Sequence, residues 1–262
     1  MRGRSMPEVN GTLEELSVKA KIGLVVVSAS TVSELRYPKA VPDVGFFASR
    51  MLLAGDGLEA LLEMERNSSW AVQELASAGV DSIAYCCTVS GAQRGLAKDR
   101  EFCADMERQW GAPTTSTMLA AAEALLHLGV RRVVLTSPYP HSYHDAESRY
   151  LAEAGIETVA ATGMGFVTAA EFAAVPPEEI YRFALEAWHR SGGAADGLFI
   201  SCMNFDAMAS AQALEDAIGK PVVTSHSATL WRALALAGVA DPVSGYGRLL
   251  AEGRECPMPA AI

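Results

Sequence analysis

Residues 78–88 read "AGVDSIAYCCT" and residues 193–204 read "GAADGLFISCMN". Each is a short apolar run that follows turn residues and ends on cysteine. The first leads through a helical stretch to "WGAPTTSTMLAAAEAL" (110–125), and the second to "IGKPVVTSHSATLWRAL" (218–234). In both, a Gly-x-Pro turn opens a short strand, and hydroxyl residues then open another helix. The strand that starts each half also ends in polar residues, in "VVVSAST" (25–31) and "VVLTSPY" (133–139). This repetition predicts a duplicated α/β architecture of two pseudo-symmetric lobes. Each lobe is a roughly four-stranded parallel sheet flanked by helices, and the carboxyl ends of the strands face a shared cleft, where open α/β sheets collect ligands.

The remainder of the chain fits that reading. The apolar runs "IGLVVV", "VGFFA", "SIAYC", "RVVLT", "IETVAA", "GLFIS" and "KPVVT" alternate with helical periodicity, as in "LEALLEMERNSSWAVQELASAG" (58–79) and "TMLAAAEALLHLG" (117–129). Gly79, Gly129 and Gly155 stand where helices should stop. The expected boundaries are a first lobe over 20–116, a second over 117–224, and a return to the first over 225–255. Residues before about Lys21 carry few apolar anchors and read as a mobile or loosely docked arm.

Composition narrows the function. The chain is 50% apolar and 20% charged, the balance of a globular protein with a substantial core. No apolar run approaches the roughly 20 residues that span a bilayer, and the start "MRGRSMPEVNG" lacks the apolar stretch of a secretory signal. The expectation is a cytoplasmic protein with no membrane partner. A net charge of −10 without any basic cluster argues against nucleic acid as a partner. A small anionic substrate stays open, because backbone N–H groups bind anions locally whatever the net charge.

Cys86, Cys87, Cys103, Cys202 and Cys256 are an odd set without CxxC spacing. That argues against a disulfide framework and against a structural zinc site. Under the twofold repeat, Cys87 and Cys202 occupy equivalent strand ends and face one another across the cleft. Facing thiols suit chemistry in which one face of a carbon loses a proton or gains a sulfur and the other receives a proton. A thiol of pKa about 8.5 needs help to ionise, and a following helix N-terminus supplies it. Both cysteines precede expected helices. Cys86 should point to the opposite strand face and, with Cys103 and Cys256, reads as buried filler.

The ordered motifs "VVVSASTVSE", "FFASRM", "IAYCCTVSG", "GAPTTST", "LGVRRVVLTSPY", "YLAEAGIE", "VPPEEI", "FISCMN" and "GKPVVTSHSATLWRAL" resemble the aspartate/glutamate racemase superfamily. Within it, they resemble the branch of maleate cis-trans isomerases and arylmalonate decarboxylases, from about Lys21 to Leu250. The resemblance implies a cofactor-independent enzyme acting on a small carboxylate with paired cysteines between two lobes. Isomerases and racemases of this group carry both cysteines, whereas arylmalonate decarboxylases carry glycine at the first position, so Cys87 favours an isomerase or racemase. The resemblance also implies that Tyr139 donates to a substrate carboxylate. Thr88, with the backbone around Val89 and Ser90, would hold that carboxylate after the first cysteine, and Met203 and Asn204 after the second. Valine at position 89 is common in maleate isomerases.

Two positions depart from the pattern. Ser30 stands where isomerases have an asparagine that orients substrate, and His144 falls where another asparagine often lies. Both weigh against maleate itself, and His144 in its charged form would widen the range of acids. His141 and His144 otherwise read as an exposed loop pair. "TGMGF" (162–166) lacks the third glycine of a dinucleotide loop. Arg50 reads as a strand-end ion pair at least as readily as a substrate contact, and His226 and Thr229 as caps of the last repeat helix. The expectation is a cofactor-independent, cysteine-dependent isomerase or racemase of a small carboxylic or dicarboxylic acid, without a metal and capable of forming a homo-oligomer. The alternatives are an arylmalonate-type decarboxylase and a non-catalytic carboxylate-binding or redox-sensing module.

Overall fold

The computed structural model describes residues 17–55, 57–66 and 68–252. Most of the expected N-terminal arm, and Cys256, lie outside the described residues. Two parallel four-stranded sheets organise the chain. The first contains β1 (Lys21–Val27), β2 (Gly45–Met51), β3 (Ser82–Cys86) and β4 (Thr114–Ser116) in the order β2-β1-β3-β4. The second contains β5 (Arg132–Ser137), β6 (Glu157–Gly163), β7 (Gly197–Ile200) and β8 (Val222–Thr224) in the order β6-β5-β7-β8. Both sheets therefore have the same topology, as the repeated motifs predict. Central strands such as β1 are apolar almost throughout, because helices cover both faces of a parallel sheet.

In the first half the helices are α1 (Val32–Ala40), α2 (Gly57–Arg66), α3 (Ser68–Ser77), α4 (Thr88–Arg94) and α5 (Leu96–Trp110), and α6 (Thr117–His127) follows β4. In the second half they are α7 (His144–Glu153), α8 (Ala169–Ala174), α9 (Pro177–Arg190) and α10 (Ala211–Ile218), and α11 (Ser225–Leu236) follows β8 before a short α12 (Arg248–Ala251). The stretch that reads as one helical run over 58–79 is thus two helices. Serines at the start of α3 compete for backbone hydrogen bonds and favour a new helix start over continuation. Gly79, Gly129 and Gly155 all adopt positive φ at helix ends.

The helices α6 and α11 pack against each other at the heart of the molecule. Ala120, Ala121, Ala122 and Ala124 are fully buried, and small side chains let the two helices approach closely. Arg232 Nε and Glu123 Oε2 pair at 2.9 Å, and the hydroxyls of Thr229 and Thr117 lie 3.1 Å apart. One apolar cluster runs from Ile22 and Leu24 in β1 through these helices to Leu135 in β5. No helix among the described residues is long and apolar enough to cross a membrane.

Candidate active site

The strand registers show that the two cysteines are equivalent. Tyr85 pairs with Ser116 across β3 and β4, and Ile200 pairs with Thr224 across β7 and β8. Ser116 and Thr224 each cap the helix that follows, accepting from the amides of Leu119 and Ser227. Cys87 lies two residues beyond Tyr85, and Cys202 two residues beyond Ile200. Both line a single cavity of about 720 Å³ at the carboxyl ends of the strands. All four described cysteines are free thiols.

The two sites differ in local structure. Cys87 has extended backbone at the N-cap position of α4, without a side-chain capping bond, and the expected helix follows it. Cys202 is followed by a turn, and α10 begins only at Ala211, so the helix expected directly after it is absent. Cys202 is instead the one non-glycine residue with positive φ among those described, at +108°. Such backbone persists only where neighbours hold it. Here the Cys202 N–H donates to Ser225 Oγ at 3.0 Å, and the Asn204 N–H donates to the Cys202 sulfur at 3.3 Å.

Burial raises the pKa of both thiols, and their neighbours differ. At Cys87 the Ser90 hydroxyl, 3.1 Å from the sulfur, the Ser90 N–H and the Arg94 charge all act against burial and favour the thiolate. At Cys202 burial pushes the pKa up to about 12, although the Tyr139 hydroxyl and the Asn204 N–H favour the anion. Charge on Glu147 and on Cys87 opposes ionisation of Cys202. Burial thus opposes ionisation of both thiols, and negative charge on Cys87 would oppose it further at Cys202.

Ser30, Thr88, Val89, Tyr139, Met203 and Asn204 all border the same cavity. Thr88 Oγ1 lies 3.2 Å from Ser225 Oγ. The Asn204 side chain is already engaged: its Oδ1 accepts from Thr31 N (2.9 Å) and its Nδ2 donates to Ala169 O (2.8 Å). It clasps two loops around the cavity, and its backbone N–H is the group that serves Cys202. Cys86 also borders the cavity, with its thiol 3.4 Å from the Ala84 carbonyl.

His144 corrects the sequence reading. It is buried at 1% exposure, is not among the cavity-lining residues, and burial lowers its pKa to about 4, so it is neutral rather than a substrate-binding cation. Its Nε2 lies 2.7 Å from Ser137 Oγ, which accepts the Tyr139 N–H at 3.1 Å. It thus braces the turn that carries Tyr139, and of the two histidines only His141 is exposed. Arg50 does not line the cavity either. It donates to the carbonyls of Ser28 and Ser30 and pairs with Glu34, bracing the loop after β1. The cap expected from His226 and Thr229 is formed by Thr224 with Ser227, while Thr229 bonds the Ser225 carbonyl one turn inside.

"TGMGF" also acquires a role. Met164, Gly165 and Phe166 donate their N–H groups to Ser137, Tyr139 and Pro138. The end of β6 thereby buttresses the Tyr139 turn. A Cβ on Gly163 would lie 2.0 Å from the Tyr139 carbonyl oxygen, so only glycine fits.

Leu53, Leu61, Tyr143, Val167 and Phe172 complete much of the wall and escaped sequence reasoning. They lie on separate loops and helices without a shared motif. Tyr139 sits between Tyr143 and Phe172, with each ring centroid 5.4 Å away. Lys, Arg and His are absent from the described lining. An anion in this cavity must be held by hydroxyl and N–H groups. Among the described residues no group of three His, Cys, Asp or Glu side chains is placed to hold a metal ion.

A sequence profile of the arylmalonate decarboxylase family matches residues 22–250. Arylmalonate decarboxylase of Bordetella bronchiseptica is 27% identical over 235 residues, covering 88% of this chain and 96% of the relative. Maleate isomerase of Geobacillus stearothermophilus is 24% identical over 245 residues, with the same coverage of each chain. Among solved structures, unliganded arylmalonate decarboxylase is similar with a TM-score of 0.77 at 26% identity, covering 88% of this chain and 98% of its own. Nocardia farcinica maleate cis-trans isomerase, in a cysteine-to-serine mutant with a covalently bound succinylcysteine intermediate, shares the fold. Its TM-score is 0.82 at 24% identity, covering 88% of this chain and 98% of its own. Duplicated sheets, strand-end cysteines and a match that runs from β1 to α12 converge, and the chain belongs to the arylmalonate decarboxylase family.

Proposed function

We propose that the protein is a cofactor-independent isomerase or racemase of a carboxylic acid, working through two opposed cysteines. The observation that carries this reading is the pair of free thiols on equivalent strand ends in one cavity. The Cys87 thiolate adds to the substrate double bond and, after rotation about the resulting single bond, is expelled as the double bond re-forms; alternatively it removes a proton from the carbon beside the carboxylate. In the second route the Cys202 thiol protonates the other face; in the first, any proton it gives to the adduct is taken back as the C–S bond breaks. The charge that develops on the carboxylate as an enediolate forms is met by the Thr88 and Tyr139 hydroxyls and by N–H groups after each cysteine, around Val89 and Met203. Ser30 borders the same space. Neutral His144 acts indirectly, by holding the Tyr139 turn.

The cavity walls describe the remainder of the substrate. Rings of Tyr139, Tyr143 and Phe172, with Leu53, Leu61 and Val167, favour an acid that carries an apolar substituent over a compact diacid such as maleate. The same walls, together with the arylmalonate decarboxylase relative, support a second reading in which Cys202 protonates the carbanion left after loss of carbon dioxide.

Incubation with maleate, aspartate, hydantoins and aryl malonates in heavy water separates these readings. Solvent deuterium in recovered acid together with isomerised product is the expected result, and evolved carbon dioxide identifies the decarboxylase. If ligands bind equally well to Cys87→Ser and Cys202→Ser proteins and no acid exchanges or turns over, the site is a binding module and the enzymatic reading fails.

A further inference from the structure

The left-handed backbone of Cys202 needs an anchor, and Ser225 at the start of α11 supplies it. The Cys202 N–H donates to Ser225 Oγ (3.0 Å), whose residue is fully buried. A backbone N–H only donates, so the Ser225 oxygen is an acceptor in this bond. Ser225 still holds one hydroxyl proton, and Thr88 Oγ1, 3.2 Å away, is its hydrogen-bond partner among the described residues. Either hydroxyl could donate across this contact, and the arrangement that leaves no proton unpaired at fully buried Ser225 has Ser225 donate and Thr88 accept. Its own proton is left over, and Thr88 borders the cavity.

The equivalent position in the first half behaves differently. Thr117 follows the Ser116 cap as Ser225 follows Thr224, but its hydroxyl donates to the Tyr85 carbonyl (3.2 Å), while the Cys87 N–H bonds that same carbonyl. The arrangement therefore serves Cys202 alone. Resting on the reading of the site as a carboxylate-transforming centre, we propose that Ser225 is a positioning residue with two linked tasks. It holds Cys202 in its strained backbone, and it orients the Thr88 hydroxyl so that its proton meets the substrate carboxylate.

Two small alkylating reagents test this without knowledge of the substrate. Iodoacetate and iodoacetamide both react when a thiolate displaces iodide, but only iodoacetate carries a carboxylate for Thr88. Alkylation rates at Cys87 and Cys202 are followed on the full chain by peptide mass mapping, with thermal melting to confirm the fold. The wild-type protein prefers iodoacetate. Ser225→Ala lowers the iodoacetate-to-iodoacetamide rate ratio by about three- to tenfold, the worth of one hydrogen bond, and Ser225→Thr restores it. Should Ser225→Ala fail to fold, Thr88→Val removes the same donor and lowers the ratio likewise. A ratio unchanged in the alanine variant, or both reagents affected in equal proportion, overturns the proposal and leaves Ser225 a packing residue. A wild-type protein without any preference for iodoacetate overturns the carboxylate reading itself.

Discussion

Cys87 and Cys202 have equivalent places in the chain and unequal surroundings, and the proposed mechanism rests on that inequality. Burial raises both thiols; Ser90 and Arg94 act against it at Cys87, while at Cys202 it pushes the pKa up to about 12 and charge on Cys87 adds to the effect. The sign of the pH dependence follows. In the proposed mechanism ionisation of Cys87 supplies the base, so kcat/KM for solvent exchange rises with pH through the neutral and alkaline range. A falling limb belongs to ionisation of Cys202 and lies beyond it. A bell centred below neutrality in a pH profile would contradict this assignment. Cys202→Ala removes only the acid, so isomerisation falls by about 10²–10⁴-fold while Cys87 still exchanges a substrate proton with solvent. Measuring deuterium exchange and product formation on the same samples checks that split. Cysteine placement was legible from the repeat of two short runs. The +108° φ of Cys202 was not, because its anchor, Ser225, lies 23 residues away on another element.

The segment from β6 into the loop after it shows how an element positions a side chain that it does not carry. Its amides bind the carbonyls of Ser137, Pro138 and Tyr139 from one side, and His144 at the start of α7 holds Ser137 from the other. The Tyr139 turn is thus held on both flanks. Gly163→Ala places a methyl group 2.0 Å from the Tyr139 carbonyl oxygen, and either the strand or the turn must move. The expected cost is about 1–3 kcal/mol of stability, with a fall in turnover because Tyr139 leaves its place beside Cys202. Thermal melting and steady-state rates read both effects, and unchanged values in the two would show that the turn is not set by this contact. In sequence, "TGMGF" looked like a weak fragment of a nucleotide loop. Gly163 answers a close backbone approach between β6 and the end of β5, which local pattern does not encode.

The molecule as a whole works only if its two sheets present their strand ends to one cavity. The α6–α11 contact supplies the apolar part of that union, and Asn204 and the Arg36–Asp206 ion pair supply polar ties at the rim. Asn204 accepts from Thr31 in the first half and donates to Ala169 in the second. Asn204→Ala leaves both backbone groups without these partners, and it should cost about 1–3 kcal/mol in a denaturant titration. Its effect on kcat/KM should exceed its effect on stability, because the loops it joins, with Ala29, Ser30 and Ala169, form the cavity wall. Asn204→Asp keeps the acceptor for Thr31 and should fall between the two. Equal kinetics in all three proteins would remove the clasp from the account.

Apolar runs, glycine stops and hydroxyl-rich helix starts are local properties, and this chain states them twice. The sequence alone therefore determined the α/β class, the shared order of the strands' motifs and the two cysteines at matching strand ends. The tertiary structure decided the remainder: the left-handed Cys202, the engaged side chain of Asn204, the buried neutral His144, and an apolar cavity walled from both halves. Each of these depends on partners or burial supplied by distant segments. Thr31 and Asn204, 173 residues apart, become hydrogen-bond partners only once two sheets have closed on one another.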